Sequence, residues 1–163
     1  MKGGITMKKT VLFNELNLRY PESFDVMSEE ELGKVFSCRA ERWGIKNLEQ
    51  HMMFSVTRSG GKGILSRITD SKAVASGAGH QMKKTLIDYK KVYNIDQIIC
   101  GQRARGFGFS FMPINSDVRQ MGELIVFKRQ NHYYSAIFQS PEEIFPSVRG
   151  VFEDILDSFE PAA

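Results

Sequence analysis

The run Gly101-Gln102-Arg103-Ala104-Arg105-Gly106-Phe107-Gly108-Phe109 gathers the residues best suited to chemistry in this chain. Two guanidinium groups beside glycines can take an anionic ligand, because glycine lets the backbone approach it closely. Tyr134 is an aromatic neighbour that such a pocket would recruit. The same composition is the raw material of a single-stranded nucleic-acid platform, where bases stack on rings and arginines take phosphates. A plainer reading stands beside both. Phe107, Phe109 and Phe111 share one face of a strand, which is buried if the sheet is covered on both sides, and the arginines then lie at the strand's end.

A second positive feature is a set of lysines. Lys83, Lys84, Lys90 and Lys91, together with Lys72, fall opposite the apolar side of a helical wheel. Solvated helix faces are rich in lysine, and Lys84 with Asp88 reads as an i,i+4 pair. Five lysines with one acid nevertheless give a local positive field, suited to an acidic protein surface and more weakly to a phosphate backbone. Lys83, Lys84, Lys90 and Lys91 are therefore candidates for a partner surface. The three histidines, His51, His80 and His132, have no acid or cysteine at ligand spacing and read as surface or strand-end residues. No G-x-S-x-G elbow is present. Gly77-Ala78-Gly79-His80 lacks the preceding strand and full spacing of a phosphate loop. No catalytic set, metal site or cofactor is expected.

With 163 residues the chain is read as one domain, able to bury about two thirds of its unfolded surface. Its formal charge of +3 implies no global attraction to nucleic acid or membrane. Cys38 and Cys100, far apart and outside any CxxC pattern, read as core thiols. The apolar stretch after Lys8-Lys9 is shorter than a signal peptide requires, and none approaches the roughly twenty residues of a membrane span. The expectation is a soluble cytoplasmic protein. Residues 1–9 are expected to form a flexible lead-in and residues 10–160 the domain, with both Met1 and Met7 open as the native start.

These features must be positioned by regular elements. Leu12–Tyr20 reads as one or two strands, and Ser28-Glu29-Glu30-Glu31 as a capping box opening a helix to about Cys38. The polar setting of Trp43 reads as loop. Met52–Thr57 alternates as a strand and ends in the glycine-rich turn Ser59–Gly63. From Ser71 to Tyr93 the apolar residues keep a helical period, with Asp70 as N-cap. Four strands come next: Ile95–Gly101, one through Phe107–Phe111, Met121–Arg129 and Tyr133–Gln139, the last two joined at Gln130-Asn131. Ser140, Pro141 and Glu143 read as a capping box with proline at the first helical position. Pro146 divides the segment after Pro141 into a separate turn and a main helix starting near Pro146 itself, with Val148, Phe152, Ile155 and Phe159 on its apolar side. The Met121–Arg129 strand is apolar on both faces and needs cover above and below. The fold class expected is therefore α/β (α+β): a single-domain α/β/α sandwich whose central, mainly antiparallel sheet carries helices on both faces.

The order of elements resembles the PsbP-like family, whose fold also includes a Ran-binding nuclear import factor and bacterial proteins of unknown role. Leu16-Asn17-Leu18-Arg19-Tyr20-Pro21-Glu22-Ser23-Phe24 looks like that family's opening strand and turn. The Met82–Tyr93 stretch stands in the place of its middle helix, and Tyr134 through Phe159 matches its closing strand and helix. The resemblance implies a non-catalytic binding or accessory protein acting with an unknown protein partner, a homodimer remaining open. It transfers no site residue. The alternative is a small anionic-ligand or enzymatic pocket around Arg103 and Arg105; nucleic-acid binding is the weaker one.

Overall fold

A computed structural model describes residues 6–35, 41–60 and 70–162. Strands β1 (Met7–Leu12) and β2 (Leu16–Pro21) form a hairpin whose turn places Phe13 and Asn14 at φ of 53° and 59°. The short β10 (Glu160–Pro161) pairs with β2 and completes a sheet of order β1-β2-β10. A larger seven-stranded sheet has the order β3-β4-β5-β9-β8-β7-β6. Its strands are β3 (Asp25–Val26), β4 (Glu41–Asn47), β5 (Met52–Gly60), β6 (Ile87–Ile99), β7 (Gln102–Met112), β8 (Gln120–Arg129) and β9 (His132–Pro141). Every pairing is antiparallel. Helices α1 (Glu29–Val35), α2 (Ser71–Thr85) and α3 (Phe145–Asp157) complete an α+β fold among the described residues.

The central strand β8 explains the arrangement. Leu124 and Val126 enter one apolar cluster with Phe107, Phe109 and Phe111 of β7 and Ala75 of α2, while Val74, Ala78, Met82 and Leu86 pack against it. Ile125 and Phe127 enter the other with Phe54, Tyr134, Ala136 and Phe138 of the sheet. That second cluster includes Phe145, Val148, Phe152, Ile155 and Leu156 of α3, and Leu12, Leu16 and Leu18 of the small sheet. The alternation of a strand sends successive side chains to opposite faces, so each face of β8 has its own apolar partners. Phe152 stacks on Phe138 with centroids 5.0 Å apart and an interplanar angle of 14°.

The helix starts obey the local chemistry in two of three cases. Ser28 and Glu31 form the reciprocal capping box, each accepting a backbone N–H of the other at 3.2 Å. Asp70 caps α2 by accepting from the Ala73 N–H at 2.9 Å. At α3 the expected box is absent: Ser140 is buried in β9 and its hydroxyl donates to the Pro141 carbonyl. A turn comes after it, and α3 starts at Phe145 with Pro146 in its first turn, as the proline requires.

Three other expectations are corrected. The helix read over Ser71–Tyr93 ends at Thr85, and Ile87–Tyr93 opens the long strand β6. Two irregularities in its pairing with β7 break the alternation, so apolar residues recur every three or four positions as they would on a helix. Trp43 lies in β4 and packs edge-on against Tyr20 and Phe54. Residues 7–9, read as part of a flexible lead-in, pair with β2. Cys38 and the turn beyond Gly60 lie outside the described residues. Cys100 is half-buried against the α3-side core, and burial pushes its thiol pKa up.

Truncating Phe152 to alanine leaves a cavity between α3 and β9 and is expected to cost about 3–5 kcal/mol. A denaturation midpoint equal to that of the wild type would contradict this packing.

Candidate functional site

Helix α2 packs chiefly on β7 and β8, leaving β6, the edge strand, as a ledge beside it. The corner between helix and ledge is an open groove of about 620 Å³. Its floor is Ala75, Phe107 and Tyr89, and Gly79 brings the helix close there: a Cβ on it would lie 3.4 Å from the Phe107 ring. Lys72 and Lys83 rise from the helix side, and Lys91 and Arg105 from the sheet side. His80, Ser76 and Asn94 add hydrogen-bonding groups to the walls. The Ser71 hydroxyl donates to the Arg103 carbonyl at 3.3 Å, which sets the start of α2 at the arginine end. Lys83 and Lys91 then share the other end.

Asp96 is the acid lining this groove among the described residues. Arg103 grips it with Nε 3.3 Å from Oδ1 and Nη2 3.0 Å from Oδ2, and Arg105 Nε lies 3.2 Å from Oδ1. The hydrogen bond from Arg103 leads in holding the Asp96 carboxyl below its usual range, with the charges of both arginines adding to it. A carboxylate so held is a poor general base near neutral pH. Lys72, Lys83 and Lys91 have no acidic partner among the described residues. Burial raises the pKa of Tyr89, so its phenol stays a neutral hydrogen-bonding group.

The structure brings some predicted residues together and separates others. Arg105 lines the groove, whereas Arg103 stands outside it with 64% of its side chain exposed. Tyr134 joins neither: it is fully buried in the α3-side cluster, because β9 alternation turns it away from α2. The phenylalanines of β7 are core residues, with Phe109 only 1% exposed, and of the three Phe107 alone reaches the groove, as part of its floor. Lys83 and Lys91 meet at the groove from helix and strand. Lys90 pairs in register with Ser110 and falls on the opposite face, and Lys84 is exposed outside the groove. Asp88 is bound by Arg119 instead of Lys84.

Two polar clusters were not legible in the sequence. Glu123 on β8, 2% exposed, accepts from the Tyr93 hydroxyl and from Arg149 Nε at 3.1 Å. Arg149 lies over the Tyr93 ring and also reaches Glu153. Burial first, then the bond to Glu123, pushes the Tyr93 phenol far above its ordinary pKa. Gly108, paired with both Tyr93 and Glu123, leaves the space that the ring fills. The second cluster joins Glu15 to the Tyr134 hydroxyl and to Arg58 at 3.1 Å, and Arg58 also bonds Glu41 at 2.6 Å. His132 Nδ1 stands 3.8 Å from Glu15. Arg149 and Glu123 are 26 positions apart, and Tyr134 and Glu15 are 119 apart, so no local spacing announces such contacts.

No protein-family model and no curated protein sequence matches the chain. The cyanobacterial PsbP of Synechocystis sp. PCC 6803 aligns with a TM-score of 0.66 over 97% of this chain and 94% of its own, at 12% identity. The fold is PsbP-like. LpqN of Mycobacterium tuberculosis, involved in cell envelope biogenesis, gives 0.64 over 96% and 92% at 14% identity. The Ran-binding protein Mog1p of Saccharomyces cerevisiae gives 0.61 over 96% and 95% at 8% identity. At these identities the PsbP-like likeness concerns the fold alone. Among the described residues, no helix is long and apolar enough to cross a membrane.

Two expected outcomes test these clusters. In a carbon-detected NMR titration, the Asp96 carboxyl should titrate below ordinary aspartate, and Arg103→Gln should move it back up. Because the folded value is the lower one, Asp96 adds stability above its unfolded pKa and loses it as pH falls through the folded value. Arg149→Met should cost on the order of 3 kcal/mol by leaving Glu123 buried without its cation. The double variant Glu123→Gln/Arg149→Met should recover much of that loss in urea denaturation, since no charge is then stranded.

Proposed function

We propose that this protein is a non-catalytic binding or accessory protein, layered as an α/β/α sandwich, that engages a partner through the groove between α2 and β6. The observation that carries the reading is the state of the groove's charges. Among the described residues its lysines are unengaged, while its one carboxylate is locked between two arginines and removed from acid–base work. A surface with available cations, hydrogen-bonding groups and an aromatic floor is equipped to bind a partner. The layering is supported by the two clusters on β8, with α3 and the small sheet sharing one side. The neighbour Mog1p is Ran-binding, so this fold presents a protein-binding surface in at least one setting.

Affinity capture from the native cell tests the reading. The wild type and the off-groove variant Lys84→Glu/Lys90→Glu should retain the same partner, and Lys83→Glu/Lys91→Glu should lose it. Equal retention by all three, or a robust catalytic turnover abolished by one substitution, would overturn the proposal.

A further inference from the structure

Resting on the groove as the binding surface, we infer that its occupant is an extended acidic segment of a partner protein, carrying acids at both ends and an apolar residue between them. The distribution of the cations argues for this shape. Lys72 and Lys83 rise from opposite ends of α2, roughly 16 Å apart by helical rise. They meet on one compact anion only by lying stretched toward each other along the helix, which sacrifices the rotamer freedom of both. Lys91 and Arg105 are also separated on the sheet side, since Lys91 pairs with Phe109, four positions and roughly 13 Å along β7 from Arg105. Positive charge is therefore paired at two ends, Lys83 with Lys91 and Lys72 with Arg105.

The middle of the groove is not cationic. Phe107 and Ala75 form an apolar floor, with Tyr89 beside them, and Ser76, His80 and Asn94 offer hydrogen-bonding groups. A phosphate or a nucleotide's phosphate chain wants converging donors at one place. An extended peptide wants the reverse: polar groups along its backbone and a pocket for one side chain in the middle. About five residues of extended chain span the distance between the two ends. Asp96 weakens the Lys72–Arg105 end, so the Lys83–Lys91 end is the stronger anchor.

The probe is the capped peptide Glu-Glu-Ser-Phe-Ser-Glu-Glu, compared with Glu-Glu-Glu-Glu-Ser-Phe-Ser and with inorganic pyrophosphate. Binding is monitored by backbone NMR shifts of the full chain at low salt. The first peptide should shift α2 and β6 residues lining the groove and bind at least fivefold tighter than its rearranged form. Lys83→Gln/Lys91→Gln should weaken it at least tenfold, and Lys84→Gln/Lys90→Gln less than threefold. These neutral replacements of exposed residues preserve the fold, which thermal denaturation checks. Equal binding of the two peptides would overturn the two-ended segment. Pyrophosphate binding in the groove more tightly than either peptide would overturn it too, while leaving the groove as a binding site. No shift of groove residues with any probe would remove both.

Discussion

Strand β8 is buried on both faces, and every other layer answers to that burial. Leu124 and Val126 point one way, Ile125 and Phe127 the other, and all four are at most 2% exposed. Each fully buried side chain of this kind is worth about 1.5–3 kcal/mol relative to exposure, so leaving either face in water is not sustainable. The chain meets the demand asymmetrically. One face takes α2; the other takes α3 together with the small sheet.

The asymmetry extends to polar groups. Glu123 interrupts the apolar pattern of β8, and its carboxylate is tolerated only because Tyr93 and Arg149 reach it from β6 and α3. The contact ties the closing helix to the far edge of the sheet, beyond the reach of the phenylalanine stacking around Phe152. At the opposite end, Arg58 holds Glu15 and Glu41 together, linking the β1–β2 turn to β4 and β5. The hydrogen bond to Glu41 leads in raising the Arg58 pKa, which keeps the cation fixed in that junction. Buried or half-buried charges thus fasten separate layers, and the unengaged lysines collect where no layer covers the sheet.

That uncovered place is a consequence of size. A fifteen-residue helix lies chiefly over β7 and β8 and covers β6 only in part. Strand β6 is thirteen residues long, and the exposed Ile98 and Val92, with the lysines and pairing irregularities, mark it as an edge. Charges and bulges on an edge discourage indiscriminate strand pairing. The groove uses the face of this ledge, where Lys91 and Tyr89 stand, and leaves the strand's outer edge protected.

Much of this was legible along the chain. The hairpin at Gln130–Asn131, the alternation of β7 and β8, the apolar arc of α3 and its start beside Pro146 all obey local rules, because turn geometry and side-chain period act over a few residues. The caps at Ser28 and Asp70 are readable for the same reason. Locality also misled: the bulged β6 imitates a helical period, and Ser140 with Glu143 imitates a cap that the preceding strand consumes. The order of residues was enough to require a two-sided core, and with it an α+β fold built on a large antiparallel sheet. Which charges meet was left to the packed chain. Lys83 and Lys91 came to line one groove because the chain turns from helix to strand at Leu86, and Tyr134 left the arginines because β9 alternation sent it through the sheet. Electrostatic sites depend on distances across the fold, and those distances are set by packing, not by spacing along the chain.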